Sequence, residues 1–230
     1  MIRNTNLVGH FLEKGEMIVE QRSFRSYIDD KKIFYFFKRF FDITISLIFL
    51  IAVMSWLTPI VALIIKLSSQ GPVFFLQRRV GRGCKVFTCF KFRTMIVNSS
   101  ADFMQASDID ERITRFGKFL RKTNIDEFPQ FLNVLLGDMS IIGPRPHMLS
   151  ECCKFSIVVP EYKFRNMVRP GLTGMAQVKG YHGPTPNFEN IFRRYQWDAF
   201  YVRNTNFWLD TRILYITITQ RVGFLLMYFF

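Results

Sequence analysis

The strongest constraint on this chain is a stretch of 23 residues without a charge, Ile43 to Ile65, reading ITISLIFLIAVMSWLTPIVALII. As a continuous helix it would extend about 34 Å, enough for a hydrocarbon core of about 30 Å. A spanning helix is the simple expectation, and two features oppose it. Basic residues flank both ends: Lys31, Lys32, Lys38 and Arg39 before, Lys66, Arg78, Arg79, Arg82 and Lys85 after. The rule that places positive loops on the cytoplasmic side then has nothing to choose between, and both ends read as cytoplasmic. Pro59, preceded by Ser55 and Thr58, also sits inside the run, where it removes a backbone donor and favours a kink. The residues from Ile43 to Thr58 reach only about 24 Å. A re-entrant helix broken at Thr58-Pro59, entering and leaving by one face, satisfies these features; a kinked spanning helix is the alternative.

The rest of the 230-residue chain is basic and aromatic, with 31 Lys and Arg against 18 Asp and Glu, a net charge of +13, and 27 phenylalanines. A soluble nucleic-acid binder would explain the charge but not the apolar content, so no nucleic acid is expected as partner. A polytopic membrane protein would not spread its charges so evenly. A basic protein seated on anionic membrane lipid explains both. Residues 1–30 carry Glu13, Glu16, Glu20, Asp29 and Asp30, lack the layout of a secretory signal, and are expected to form a polar tail. Cys84, Cys89, Cys152 and Cys153 form no CxxC pair, and His10, His147 and His182 are scattered. No zinc site is expected, and the thiols read as buried or idle in a reducing compartment.

After Gln70-Gly71-Pro72 the runs VFFLQRRV and KVFTCFKFRTM, joined by Gly81-Arg82-Gly83, predict a β-hairpin. Helices are expected near Glu111–Lys122 and Ile125–Leu136, followed by a turn at GPRP, Gly143 to Pro146. Arg169-Pro170-Gly171 then leads into a predicted short strand through Gly180. Phe188, Ile191, Phe192, Tyr195, Ala199 and Val202 recur at helical spacing, with Arg193 and Arg194 on another face. That helix faces either a core or a membrane interface. The end, GFLLMYFF, is too short to span and should pack or dip into lipid. The expected division is a tail at 1–30, a membrane helix segment at 31–70, an α/β (α+β) domain at 71–223 and a hydrophobic tail at 224–230.

The segment LRKTNIDEFPQFLNVLLGDMSIIGPRP, Leu120 to Pro146, carries the chemistry. Asp126 and Glu127 lie at the start of an apolar helical pattern, with Asn124 or Thr123 available as a cap. Acidic residues are favoured there for structural reasons alone. The surrounding charge adds a second reading. Arg121 lies five residues before Asp126, and Arg145 sits in a turn stiffened by two prolines; arginine forks suit phosphate oxygens. Two adjacent carboxylates can divide labour, one attacking phosphorus and the other holding Mg²⁺. Lys91 and Arg93, alternating with Phe90 and Phe92, add a basic strand edge.

Taken together these motifs resemble the bacterial sugar transferases, the monotopic polyprenyl-phosphate phosphoglycosyl transferases. The likeness runs from KRFFD (Lys38 to Asp42) through KLSSQGPVFFLQ, FKFRTM, the Asp-Glu segment, GDMSIIGPRP and VRPGLTGMAQVKG to WLDTRILYIT. It implies a re-entrant membrane helix, a monotopic protein of the bacterial inner membrane, and a catalytic domain facing the cytoplasm. It implies transfer of a sugar 1-phosphate from a nucleotide diphosphate sugar to a polyprenyl phosphate, initiating a surface glycan. Asp126 matches the family's nucleophile, Glu127 its Mg²⁺-associated carboxylate, Arg121 and Arg145 arginines near the phosphate, and Thr58-Pro59 the helix break. The break is usually Ser-Pro; the Thr58 hydroxyl is expected to bond back to an i−4 carbonyl instead. The stretch from Arg39 to Pro59 is about one helical turn longer than in compact members, and the chain is expected to be a minimal form. A membrane-associated phosphatase and a non-enzymatic basic membrane adaptor are the rival expectations. The sugar, the glycan pathway and the oligomeric state leave no recognisable mark.

Overall fold

The computed structural model describes residues 31–97, 110–159, 161–181, 183 and 187–229. The expected polar tail, His10 and His182 lie outside the described residues. By internal contacts the chain divides into Met1–Phe37 and Lys38–Phe230. Of the first unit, residues 31–37 are described, and they are helical from Lys32.

The uncharged run lies in one helix, α1 (Lys32–Ser68), with a mean hydropathy of 2.6 over its most apolar window and only 17% of that window buried. No interruption occurs at Thr58-Pro59. The irregularity lies one turn earlier, in a π-helical turn at Leu50–Met54. There the Ser55 N–H reaches five residues back to Leu50 O, and the Ser55 hydroxyl donates to Ile51 O at 2.6 Å. Trp56 Nε1 donates to Ala52 O at 2.9 Å. The widened turn sits just before Pro59, whose ring would crowd the Ser55 carbonyl in a regular helix. Thr58 does not bond back to a carbonyl, contrary to expectation; its Oγ1 lies 4.0 Å from the Met54 sulfur.

From Lys38 onward α1 is fastened along its length to the rest of its unit. Arg39 donates to Val134 O and Leu135 O at 2.6 and 2.9 Å. Asp42 accepts from Ser140 Oγ and from the Ile141 N–H at 3.1 and 3.0 Å. Phe49 stacks on Phe131, and Met54, Val61 and Ile65 form a core cluster with Phe92 and Leu120. Each such buried side chain contributes roughly 1.5–3 kcal/mol. Just beyond α1, Ser69 O and Gln70 O accept from Arg93. The other face exposes Phe40, Ile48, Ile51, Trp56, Leu63 and Leu67. A soluble core helix would be mostly buried, so this apolar face requires a nonaqueous neighbour.

Among the described residues the remainder is helix-rich, with two separate two-stranded sheets, so α+β describes it and α/β does not. The predicted hairpin forms: β1 (Phe74–Val80) pairs antiparallel with β2 (Val86–Phe92), Leu76 opposite Phe90. α2 (Arg115–Thr123) is capped by Thr114, whose side chain accepts from the Gly117 N–H. A 3₁₀ turn at Ile125–Glu127 and α3 (Gln130–Leu136) follow, with Pro129 directly before α3, where its missing donor costs nothing. β3 (Ser140–Ile142) runs parallel to β4 (Gly171–Thr173), with α4 (Leu149–Val158) and a 3₁₀ segment at Tyr162–Met167 between them.

Four expectations are corrected. The strand predicted through Gly180 ends at Thr173 and gives way to α5 (Met175–Val178). Asn124 does not cap the Asp126 turn; it is left-handed, at φ 58°, and closes α2. Arg194 does not join Arg193 on an outer face: in α6 (Phe188–Asn204) it is buried beside Tyr195, Asp198 and Val202. Nor does the C-terminal apolar run stand alone, because α7 (Phe207–Phe229) passes through Gly223 unbroken.

Asp42 is the buried link between α1 and β3. Asp42→Ala leaves the Ser140 hydroxyl and the Ile141 N–H without a partner, a loss of about 2–4 kcal/mol. Thermal unfolding of purified protein should therefore fall by about 5–15 °C. Asp42→Asn, which keeps one acceptor oxygen, should lose less.

Candidate active site

Three segments far apart in sequence meet at Glu127. Its Oε1 is 2.6 Å from Lys91 Nζ on β2 and 2.6 Å from Arg145 Nη2, while Oε2 accepts from Arg145 Nη1 at 3.2 Å. Burial pushes this carboxyl up, but Arg145 and Lys91 outweigh it and hold Glu127 well below the ordinary carboxylate range. Reciprocally, the Glu127 charge raises Arg145, which stays cationic. Asp126, one residue earlier, is 8% exposed and accepts no hydrogen bond from the described residues. Burial raises its carboxyl to about 6; Glu127 pushes the same way, against the pull of Lys91, Arg121 and Arg145. Neighbouring acids thus have different states: one locked ionised, one with its lone pairs uncommitted.

Local structure explains how each side chain is delivered. β2 has β1 on one edge, and on the other Asn133 of α3 takes the place of a strand. Its Oδ1 accepts from the Phe90 N–H at 2.9 Å and its Nδ2 donates to Thr88 O at 2.7 Å, with Asn133 itself fully buried. That clamp sets Lys91 against the turn carrying Glu127. Gly117 lets α2 approach the chain after β2, since a Cβ there would lie 2.0 Å from Thr94 O. One turn on, Arg121 Nε donates to Thr94 Oγ1 at 2.9 Å and Nη2 to Met95 Sδ at 3.2 Å. The left-handed Asn124 then reverses the chain into the Asp126 turn.

The structure therefore brings together Asp126, Glu127, Lys91 and Arg145, with Arg121 near enough to act on the Asp126 charge. Arg93 does not join them. It is turned to the end of α1, where Nη1 and Nη2 donate to Gln70 O and Ser69 O at 2.7 Å each. Thr58 and Pro59 lie on α1. Sequence reasoning missed Asn133, Thr94 and the buried pair Arg165–Asp198, each a polar residue inside an apolar pattern.

Among the described residues no group of three or more His, Cys, Asp or Glu could hold a metal on its own. The donor set is the carboxylate pair Asp126 and Glu127. Mg²⁺ is commonly held by one or two carboxylates, with substrate phosphates and water completing its shell, so the pair fits that ion when a diphosphate is bound. It does not fit zinc. His147 is buried, its Nδ1 2.8 Å from the Tyr162 hydroxyl, and burial pushes its imidazole well below the usual range. All four cysteines are free thiols, Cys89 and Cys152 buried.

The sequence matches the bacterial sugar transferase family over residues 33–223. The chain belongs to that family. It is 42% identical over 183 residues to a UDP-glucose:undecaprenyl-phosphate glucose-1-phosphate transferase of Klebsiella pneumoniae, covering 79% of this chain and 39% of that protein. It is 45% identical over 194 residues to a UDP-N-acetylgalactosamine-undecaprenyl-phosphate N-acetylgalactosaminephosphotransferase of Aeromonas hydrophila, covering 84% and 45%. An exopolysaccharide production protein of Rhizobium leguminosarum bv. phaseoli is 43% identical over 190 residues, covering 80% of this chain and 94% of its own. The chain thus spans less than half the length of the first two of these sugar transferases.

The Asn133 clamp gives a test of how the sugar transferase fold sets its site. Asn133→Ala strips partners from the Phe90 N–H and Thr88 O, a cost of about 2–4 kcal/mol. Asn133→Leu restores volume but no hydrogen bond, so thermal unfolding should show no recovery. Recovery with leucine would mean that Asn133 only fills space.

Proposed function

We propose that this sugar transferase moves a sugar 1-phosphate from a UDP-sugar to a polyprenyl phosphate, undecaprenyl phosphate by analogy with its named relatives. The carrying observation is the asymmetry of the carboxylate pair: Asp126 is buried, uncommitted and surrounded by cations, whereas Glu127 is fixed by Arg145 and Lys91. An Asp126 oxygen attacks the β-phosphorus, the bond to the bridging oxygen breaks, and UMP leaves, giving an aspartyl phosphosugar. An oxygen of the lipid phosphate then attacks that phosphorus and releases Asp126, forming the polyprenyl diphosphate sugar. Arg121, Arg145 and Lys91 supply the cationic charge that meets the developing phosphate charge. Glu127 would hold Mg²⁺ beside Asp126, and the ion would supply charge neutralisation of the diphosphate when bound.

The membrane arrangement follows from α1. Arg39, two turns into α1, and the Ser69-Gln70 carbonyls just beyond its C-terminal end are fastened to the same folded unit. A helix spanning the bilayer would carry its far end away from that unit, so in this reading α1 bends at the π-helical turn Leu50–Met54, dips into one leaflet and returns, as a monotopic anchor in the inner membrane. The domain then faces the cytoplasm, where nucleotide sugars are. Exposed Arg115, Lys118 and Lys122 on α2, spaced three and four residues apart, suit anionic headgroups.

Two measurements test this reading. With UDP-sugar alone, the parent should acquire a phosphosugar mass on the peptide containing Asp126. Asp126→Asn should fold but form no adduct and release no UMP, and excess EDTA should stop the parent. UMP release by the Asn variant, or an adduct elsewhere, would refute the nucleophile. For topology, Thr5→Cys is introduced and the native cysteines are removed, leaving Cys153 as domain reporter where needed. Both thiols should resist an impermeant reagent in intact cells and react after permeabilisation. Labelling of residue 5 in intact cells would mean a spanning helix.

A further inference from the structure

The GPRP turn holds its first half through backbone. Gly143 N donates to Thr173 O at 2.8 Å and Gly171 N to Pro144 O at 2.9 Å. Its second half is held differently, by guanidinium groups from elsewhere. Arg165 Nη2 donates to Arg145 O at 2.6 Å, and Arg79 Nη1 donates to Pro146 O at 3.0 Å. Arg165 comes from the 3₁₀ segment after α4 and is 2% exposed. Its Nε and Nη2 lie 2.9 and 2.8 Å from Asp198 Oδ2 on α6, itself 1% exposed. Two ion pairs, Asp198–Arg165 and Arg145–Glu127, are therefore joined from α6 to the site by the hydrogen bond from Arg165 to the Arg145 carbonyl.

A buried ion pair is a poor source of stability, because apolar residues of similar volume often serve as well or better. What an apolar pair cannot supply is a donor to the Arg145 carbonyl. That carbonyl belongs to the residue whose fork grips Glu127, so its placement sets the fork. The buried Arg165 is too enclosed to meet substrate, and among the described residues it reaches the site through the Arg145 carbonyl.

We propose that Arg165, oriented by Asp198, is a positioning residue that holds Arg145 in register for phosphoryl transfer, so that its loss falls on the chemical step rather than on donor binding. This rests on the function proposed above. Misplacement of such a group by an ångström costs on the order of 10²-fold in rate.

The test uses the full-length protein in nanodiscs, following UMP release and hydrogen exchange of the peptide spanning residues 143–148. Arg165→Lys keeps charge against Asp198 but loses the fork. It should lower kcat by at least about tenfold with the donor KM within about threefold, and exchange at 143–148 should quicken. Combined with Arg145→Lys it should cost nothing further, because both changes act on one arginine. Additive losses, a change confined to KM, or unchanged exchange would overturn the proposal. If Arg165→Lys folds poorly, the apolar pair Arg165→Met with Asp198→Leu removes both charges. It should unfold no earlier than the parent yet show the same loss of kcat and the same quickened exchange; a stable, fully active pair would make Arg165 structural only. A parent that releases no UMP from any UDP-sugar would instead refute the function, while the exchange arm still decides whether Arg165 fixes the turn.

Discussion

The molecule is organised around the carboxylate of Glu127. Two cations from different segments converge on it, Lys91 from an antiparallel strand and Arg145 from a turn between a parallel strand and a helix. Neither segment neighbours Glu127 in sequence, so this one charge fixes the relative placement of hairpin, turn and helix start. Its ionised form is what the surroundings select: burial alone would favour the neutral acid, and only two close cations reverse that preference. Remove either and the remaining structure holds a buried charge with half its compensation.

That arrangement is coupled to the long apolar helix α1 by hydrogen bonds rather than by apolar packing alone. Arg39 takes the last carbonyls of α3, the helix that follows the Asp126 turn, and Asp42 takes the backbone of β3, the strand that leads into GPRP. The KRFFD segment thus grips both sides of the site from the apolar helix. Arg93 does the same from the opposite direction, satisfying the carbonyls where α1 ends. Under the proposed function, a site built on such links would keep a fixed height relative to the lipid surface, as a reaction between a soluble donor and a lipid-borne acceptor demands.

Legibility from sequence followed the range of the determining interaction. The hairpin was legible because alternation and a Gly-Arg-Gly turn are local. Asp126, Glu127, Arg121, Lys91 and Arg145 were legible as a set because acids and bases in an apolar context stand out. Arg93 was misread because alternation with Lys91 placed it on the right strand face but not beyond the strand end, where it turns to helix carbonyls. Arg194 was placed with Arg193 on a face apart from the apolar stripe, but it is buried together with Tyr195, Asp198 and Val202 of that helix. The strand expected through Gly180 failed for a similar reason: β4 lasts only as long as β3 beside it. Asn133, whose partners lie on a strand more than forty residues away, gave no sequence signal at all.

The same long-range logic explains why two adjacent carboxylates differ so much. Consecutive residues in a 3₁₀ turn project about 120° apart, so Glu127 can grip Lys91 and Arg145 directly while Asp126 feels the same cations without bonding them. The cations that lock Glu127 are then near enough to keep Asp126 largely ionised at neutral pH but do not occupy its oxygens. A nucleophile with satisfied lone pairs would be more stable and less reactive. Here the hydrogen bonds are spent on the neighbour, and Asp126 is left buried with no hydrogen bond from the described residues; under the proposed function that leaves its oxygen free to attack.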